Sequence, residues 1–417
     1  MRNPEVDIRR SEEVNHEARS GTPWRSRTFQ MVLAVSLTGV MGVSLISPVL
    51  PELRNAFGVT DSQVGLVITF YTLPGALLAP FAGLAADRFG RRRVIIPLLF
   101  IFGIAGAGIA FTESFRAVLA LRFFQGIGAS VLVTLAVTLI GDLWEGNRRA
   151  AAMGANGSVI ASGAALYPFL GGLLATIRWN LPFVFFGVSI LLGLIALVVL
   201  EEPDTGRTAS FRDYLAEIRS TIFSPKILAI NASILLVFLL FYGAILTAMP
   251  LLLSDEFALG TDAIGILLSL VAIASGTISL LYGHIARRWG PFQLISIGFL
   301  CYGVGMVGIW AAQSVLLIGV WLLLFGAGFG FVMPSIDLAI AKIAPEDLRA
   351  GTMGVRTSML RIGQTAGPLV FTIGAEAWFR TTVVGYRTLV LVSGLLSVAI
   401  GVGAYGFLRY KSQKILR

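Results

Sequence analysis

Long apolar segments recur along this chain and constrain its fold more than any other feature. A helix needs about 20 predominantly apolar residues to cross a bilayer, and twelve segments meet that requirement. They are predicted at residues 29–51, 64–86, 94–112, 115–141, 150–176, 181–200, 227–253, 263–286, 292–312, 315–341, 352–377 and 385–408. The chain is 56% hydrophobic and 13% charged, which is too apolar for a water-soluble fold. The sequence therefore predicts an all-α membrane protein with twelve transmembrane helices.

Lysine and arginine are unequally distributed over the loops between these spans. If the N-terminus is cytoplasmic, that side receives 24 of the 32 cationic residues and the other side receives five. The positive-inside rule then predicts that both termini are cytoplasmic. Although the net charge is +9, the cations form no continuous basic face, so nucleic acid is not expected as a partner.

Polar segments divide the chain into five predicted parts. A cytoplasmic tail at 1–28 precedes a six-helix bundle at 29–200, and a cytoplasmic linker at 201–226 leads to a second bundle at 227–408 and a tail at 409–417. The first tail shows no cleavable signal peptide, so the first span is expected to act as the insertion signal. Apolar residues at helical spacing in the linker predict a helix that lies on the membrane surface.

One phrase of the sequence occurs twice, 200 residues apart. Residues 83–90 read GLAADRFG and residues 283–290 read GHIARRWG. The same offset pairs further glycines, arginines and prolines, among them Gly65 with Gly265, Gly126 with Gly326, Gly128 with Gly328, Arg149 with Arg349 and Pro168 with Pro368. Composition alone explains these coincidences poorly, so the chain is interpreted as two six-helix pseudo-repeats. Because six is even, both copies have the same orientation, as in parallel transporter repeats.

Three motifs carry a family resemblance. They are GLAADRFGRRR after the second span, LALRFFQGIGAS in the fourth and GSVIASGAALYPFLGG in the fifth. They resemble signatures of the major facilitator superfamily, and within it the twelve-helix drug:proton antiporter-like branch, over residues 29–408. The fourth-helix signature places its arginine at Arg122. The fifth-helix signature departs at Tyr167, where the family has glycine, and the first helix lacks the acid often found mid-helix in proton-coupled members.

The first copy of the loop motif predicts a gate on the cytoplasmic side. Asp87 ends the second helix, where a carboxylate can face the positive end of another helix or pair with a nearby arginine. The resemblance implies helix eleven as its partner, and Asp142 is expected to join this network. The residues expected in the gate are Gly83, Asp87, Arg88, Gly90, Arg91, Asp142 and Arg148. The alternative is that the arginines only follow the positive-inside rule. The second copy has Arg287 in place of the aspartate, so the two loops are predicted to differ in role.

Glycine and proline recur in the fifth and eleventh helices. The residues expected to let these helices bend are Gly163, Pro168, Gly363, Gly367 and Pro368. Each half then has one thin helix suited to rocking at the interface between the halves. Tight static packing is the alternative, because glycine serves it equally well.

Charged residues inside predicted spans are the sharpest functional signal, because each is costly in a bilayer unless it is paired or hydrated. Arg122 and Arg361 lie far from their helix ends and are predicted to face a hydrated central cavity. Asp337 and Arg356 lie within about two turns of the cytoplasmic boundary, where they are predicted to form an ion pair. Aromatic residues are candidates to line the cavity, in particular Tyr167, Phe241 and Tyr242.

These features predict a secondary active transporter that works by alternating access and exports lipophilic or drug-like small molecules, with protons as the expected coupling ion. Two alternatives stay open: transport of an anionic metabolite or lipid head group, and a receptor or scaffold that does not transport. An enzyme is not expected, because the chain has two histidines and one cysteine and shows no catalytic, metal or cofactor motif. The predicted protein is a monomer among the lipids of a prokaryotic cell membrane.

Overall fold

The computed structural model describes residues 26–200, 202, 225–343 and 349–415, with backbone only for 79–87, 225, 226, 349–351 and 407–415. The described residues form twelve helical rods and contain no strand. The rods are α1 (Arg27–Phe57), α2 (Asp61–Phe89), α3 (Arg91–Phe111), α4 (Phe115–Leu143), α5 (Gly146–Ile177), α6 (Leu181–Val199), α7 (Ile227–Phe257), α8 (Thr261–Ile285), α9 (Pro291–Ala311), α10 (Val315–Ile343), α11 (Arg349–Trp378) and α12 (Thr382–Ile415). Among the residues whose side chains are described, ten of these rods are long and apolar enough to cross a membrane: α1, α3 to α10 and α12. The predicted all-α, multi-pass architecture is therefore confirmed.

The helix ends extend furthest beyond the predicted boundaries in two places. The helix α1 extends through a 3₁₀ turn at Ser47–Val49 and continues to Phe57. At the other end of the chain, α12 continues to Ile415, so most of the segment predicted as a C-terminal tail is helical. Both extensions add helix-compatible residues beyond the apolar run, which hydropathy alone does not mark. The predicted surface helix of the linker lies outside the described residues.

Close contacts at glycine repeat at the 200-residue offset. A Cβ atom on Gly126 would overlap the carbonyl oxygen of Tyr71, and a Cβ atom on Gly326 would overlap that of Val271. Tyr71 and Val271 are themselves 200 positions apart, so α4 packs on α2 as α10 packs on α8. The predicted pseudo-repeat is therefore present in the packing as well as in the sequence.

The helices α5 and α8 pair across the boundary between the first six helices and the last six. We call the face of the molecule at which α1 begins and α12 ends the terminal face. The face at the other ends of these helices is called the opposite face. Near the opposite face, Gly172 packs against Thr261, whose hydroxyl donates to the Gly172 carbonyl oxygen at 2.9 Å. One turn further in, Gly265 packs directly on the carbonyl group of Pro168. These contacts hold the two halves together at the opposite face.

The same two helices separate toward the terminal face. Gly154 lies 18 residues before Gly172, and Gly283 lies 18 residues after Gly265, which is five helical turns and returns each to the same side of its helix. Yet a Cβ atom on Gly154 or Gly283 would meet no described atom within 4 Å. The α5–α8 pair is thus closed at the opposite face and open at the terminal face.

Candidate functional site

Arg122 lies in the interior of the first six helices. Its side chain is completely buried. One guanidinium nitrogen donates to the Gly42 carbonyl oxygen at 3.0 Å and to the Gln125 side-chain oxygen at 2.8 Å. The guanidinium also lies over the rings of Tyr71, Phe183 and Phe186 at 5.3–5.8 Å, an arrangement that stabilises a cation in an apolar site. The prediction that Arg122 faces a hydrated cavity is therefore wrong for this conformation, because helix packing encloses the side chain.

Arg361 reaches across the boundary between the two halves. From α11, it donates to the carbonyl oxygen of Ser130 in α4 at 3.0 Å and to the side-chain oxygen of Gln364 at 3.2 Å. Gly75 of α2 leaves room for it, since a Cβ atom there would lie 3.3 Å from the guanidinium. Arg361 is partly exposed. Arg361 therefore lies between the two halves, and the hydrated cavity predicted around it stays a prediction.

Four aromatic rings form a cluster in the second half, defined here as the aromatic cluster of Phe238, Phe241, Tyr242 and Phe329. Ring centroids lie 5.1 Å apart for Phe241 and Phe329, and 5.8 Å apart for Phe238 and Phe329. Phe241 begins a π-helical turn, Phe241–Ala248, a feature frequent at functional sites. Phe241, Tyr242 and Phe329 are partly exposed. Tyr167, the third predicted cavity aromatic, is buried against α5 itself.

Asp337 and Arg356 form the ion pair that the sequence predicts. The distance from Asp337 Oδ1 to Arg356 Nε is 2.8 Å, and half of the Asp337 side chain is exposed. The pair joins α10 to α11, so it lies entirely within the second half. In the first half, the positions 200 residues earlier hold Val137 and Asn156, so this ion pair has no counterpart there.

The structure brings together two residues of the predicted gate. Arg91 Nε lies 2.6 Å from Asp142 Oδ2, and this ion pair joins the start of α3 to the end of α4. Arg88 is exposed beside the ring of Phe89, and Arg148 is exposed at the start of α5. The side chain of Asp87 lies outside the described residues, and for Gly83 the structure gives only the helical backbone. A contact of the gate with α11 therefore stays a prediction.

Gly90 makes the sharp turn between α2 and α3. Its φ angle of 93° is one that residues with a Cβ atom rarely adopt. A Cβ atom there would also come within 2.6 Å of the Glu202 carboxylate, which accepts a hydrogen bond from the Arg92 backbone N–H at 3.1 Å. The carboxylate at the end of α6 thus caps the positive start of α3. No pattern in the sequence predicts this role of Glu202.

A second set of charges, defined here as the opposite-face cluster, joins the halves at their closed end. Arg54 at the end of α1 binds both carboxylate oxygens of Asp255 at the end of α7, at 2.6 and 2.8 Å. It also binds Asp61 at 2.7 Å. Asp61 in turn accepts a hydrogen bond of 2.9 Å from the Tyr386 hydroxyl of α12. One cation and two carboxylates therefore connect α1 and α2 to α7 and α12.

A third connection lies beside the opposite-face cluster. The Glu376 carboxylate of α11 accepts a hydrogen bond of 3.0 Å from the Ser62 backbone N–H at the start of α2. In the sequence Glu376 is only an acid near a helix end, and the cluster is not among the predicted sites. One sequence signal was present, because Leu53 and Leu253 are equivalent positions of the two repeats. Arg54 comes one position after the first leucine and Asp255 two positions after the second, so opposite charges occupy nearly equivalent positions. Equivalent places of two repeats meet where they lie near the pseudo-symmetry axis.

The residues predicted to bend α5 and α11 pack closely in this structure. Gly363 and Gly367 lie against the carbonyl oxygens of Leu235 and Leu239 in α7. Gly163 lies against the Leu37 side chain, and both helices continue unbroken through Pro168 and Pro368. These contacts favour the packing alternative in this conformation. Bending at these residues stays a prediction.

Comparison with known proteins gives the same architecture. A family model described as Major Facilitator Superfamily matches residues 32–252 and 232–415. The bacillibactin exporter of Bacillus subtilis (strain 168) is 29% identical over 353 residues, which covers 81% of this chain and 87% of that relative. The quinolone resistance protein NorA of Staphylococcus aureus (strain N315) is 25% identical over 344 residues, which covers 79% and 85%.

Two solved structures share the fold. The first is a bacterial homologue of the human lysosomal transporter Spinster in an inward-facing, unoccupied conformation, with a TM-score of 0.73 and 19% identity over 95% of this chain and 98% of that one. The second is the nucleoside transporter NupG, with a TM-score of 0.78 and 12% identity over 92% of this chain and 100% of that one. At such identities the likeness concerns the fold alone.

Proposed function

Because this chain belongs to the major facilitator superfamily, in its drug:proton antiporter-like branch, it is a secondary transporter of a small molecule, and we propose that it exports that molecule across a prokaryotic cell membrane by alternating access. We assign the terminal face to the cytoplasm from the predicted excess of lysine and arginine on the side where α1 begins and α12 ends. The observation that carries the proposal is the divergence of α5 and α8, which meet at Gly172 and Gly265 but not at Gly154 and Gly283. The structure then corresponds to the conformation open to the cytoplasm.

The relatives favour export over the alternatives that the sequence left open. Both curated relatives are named for export or drug resistance, which supports export and a lipophilic or drug-like substrate here. Membership in a transporter family also argues against an enzyme, a receptor or a scaffold. A monomer is proposed as the functional unit, because each half already has the other half as its partner at the interface.

Labelling of single cysteines tests the orientation and the open face. In a Cys301→Ala background, cysteine is introduced at Gly157, where a Cβ atom meets open space, and at Gly65, where it would lie against Thr372. A membrane-impermeant maleimide is expected to label position 157 in inside-out vesicles and to leave position 65 unlabelled from either side. Labelling of position 157 only in right-side-out vesicles would overturn the assignment of the faces.

The opposite-face cluster is proposed as the gate that closes the outer side. Replacing Arg54 with glutamine removes the ion pair to Asp255 and one partner of Asp61. A well-formed pair of this kind contributes about 1 kcal/mol, so the population open to the cytoplasm should fall by about fivefold relative to the other state. The rate of maleimide labelling at position 157 should decrease accordingly. The control is Arg116→Gln, because Arg116 is exposed on the same face and should leave the rate unchanged; equal effects of the two variants would contradict the gate.

Proton coupling is proposed to use Asp337. Asp61 and Asp255 are held in the opposite-face cluster and Asp142 by Arg91. The Asp337 side chain, by contrast, is half exposed and is paired with Arg356. Protonation of Asp337 would release Arg356, and the release links the proton to a change of contacts between α10 and α11. The competing view is a fixed structural pair, with coupling through another ion.

Proteoliposomes with an imposed pH gradient distinguish these views. We expect Asp337→Asn to lose most gradient-driven transport, about fivefold or more, and to retain exchange of labelled for unlabelled substrate. The matched control is Glu113→Gln, an exposed acid at the opposite face. Gradient-driven transport that survives in Asp337→Asn would exclude Asp337 as the carrier. Transport by the parent protein that ignores the gradient would exclude proton coupling.

A further inference from the structure

Buried hydrogen-bond donors that have no acceptor among the described residues occur around Arg122, inside the first six helices, and at Arg361, at the boundary between the halves. They include Nε and one terminal nitrogen of Arg122, Nε of Arg361 and the side-chain nitrogen of Gln125. The Tyr71 hydroxyl, which can donate as well as accept, is also buried without a partner. A buried donor without an acceptor is costly, and here several occur together. The site is therefore rich in donors and poor in acceptors.

Among the described residues, no carboxylate pairs with the positive charges of Arg122 and Arg361. The arginines in described ion pairs include Arg54, Arg91, Arg356 and Arg387. Arg122 and Arg361 contact only neutral oxygen atoms, from backbone carbonyls and from Gln125 and Gln364. Two guanidinium groups at the centre of a membrane protein thus have no described counter-charge, which favours a ligand that brings the negative charge itself.

The helices that carry the aromatic cluster and Arg361 pack directly on each other. In α11, a Cβ atom on Gly363, two positions after Arg361, would lie 3.0 Å from the Phe238 Cβ atom of α7. Next to Tyr242, a Cβ atom on Gly243 would lie 2.5 Å from the carbonyl oxygen of Gly367, so the π-helical turn of α7 packs directly on α11. The Arg122 guanidinium lies 5.3 Å from the Tyr71 ring centroid, and a Cβ atom on Gly75, one turn later in α2, would lie 3.3 Å from the Arg361 guanidinium, so both cations lie against α2. A guanidinium and partly exposed aromatic faces are therefore presented together from α7, α10 and α11.

We propose that the transported substrate is a planar aromatic anion, which stacks on Phe241 and Phe329 and places its acidic group on Arg361. This inference rests on the proposed export function and specifies the class of substrate. Rings prefer offset or edge-on contact with other rings, and a guanidinium binds a carboxylate in a planar, bidentate manner. A lipophilic cation would instead meet two uncompensated positive charges, which disfavours it. Arg122 is fully buried, so it does not contact the substrate and contributes a fixed positive charge.

Binding to the purified full-length protein in detergent tests the proposal with four matched probes. They are naphthalene-2-carboxylate, 2-naphthylmethylammonium, 2-naphthalenemethanol and cyclohexanecarboxylate, which separate the charge from the aromatic ring. We expect naphthalene-2-carboxylate to bind at least tenfold more tightly than each of the other three. Arg361→Gln should abolish its advantage over the neutral alcohol, and Arg361→Lys should retain part of it. Phe241→Leu should weaken the three naphthalene probes and leave cyclohexanecarboxylate unchanged.

Two controls keep the test independent of folding and of transport. Arg288→Gln removes an exposed arginine of the terminal face and should preserve the order of affinities, while thermal unfolding without probe checks that Arg361→Gln is folded. Equal or tighter binding of the ammonium probe to the parent protein would overturn the proposal, as would a carboxylate preference that persists in Arg361→Gln. If the preference depends on Arg361 but vesicles export none of the probes, the export function fails and this inference stands. If vesicles export only the cation, export stands and this inference fails.

Discussion

Replacing Gly265 with leucine is expected to reduce transport more than a hundredfold while the protein remains folded. A side chain at this position would overlap the carbonyl group of Pro168, which belongs to the other half of the molecule. Overpacking against backbone atoms costs about 3 kcal/mol when neither side can yield, which corresponds to a factor of about 150 in a conformational equilibrium. The two halves can avoid this cost by separating at the opposite face. The variant should therefore favour the conformation open to the outside.

Labelling and transport measured on the same preparation test this expectation. The Gly265→Leu protein should elute as a single species, label poorly at a cysteine introduced at Gly157, and transport at background level. The matched control is Gly283→Leu, which lies on the same side of α8 but in open space and should retain transport. Normal labelling of position 157 in the Gly265→Leu protein would show that the interface between α5 and α8 does not separate during transport.

Replacing Gly126 or Gly326 with leucine is expected to prevent folding rather than to shift a conformation. The carbonyl oxygens that a side chain would overlap, those of Tyr71 and Val271, belong to the same half as the glycine in each case. Helices within one half have no second arrangement that relieves the overlap, so the core must come apart or shift. We expect both variants to give little or no monodisperse protein, with equal severity because the two contacts are related by the repeat.

The control for this pair is Gly154→Leu, since a side chain at Gly154 meets open space. Its yield and elution profile should match those of the parent protein. A well-folded Gly126→Leu protein beside a misfolded Gly326→Leu protein would show that the two halves tolerate packing errors differently. In that case their similarity in sequence would not extend to their energetics.

Fluorescence-detected size-exclusion chromatography of the leucine variants separates the two kinds of glycine. Glycines between the halves, such as Gly265, should affect transport and labelling with little effect on yield. Glycines within a half, such as Gly126, should affect yield first. Both kinds look alike in the sequence, because each is a glycine at the same 200-residue offset from another.

The amino-acid sequence alone determined the membrane class, the helix number and the duplication. Hydropathy and charge act locally along the chain, so twelve apolar segments predict twelve rods without knowledge of their arrangement. The repeat pairs Gly126 with Gly326, and in the structure each of them packs against a backbone carbonyl oxygen of a neighbouring helix. The spacing of Asp337 and Arg356 on consecutive helices was likewise enough to predict their ion pair.

Only the tertiary structure decided which distant groups meet. Arg54 and Asp255 form an ion pair across the two halves, and Tyr386 completes the contact with Asp61, because the halves close at one face and carry their helix ends together there. The same packing encloses Arg122, which was predicted to face a cavity because its charge lies deep within a span, and leaves Arg361 partly exposed at the interface. A sequence specifies the rods through local transfer free energy, whereas burial and pairing of a side chain depend on how whole helices are placed against one another.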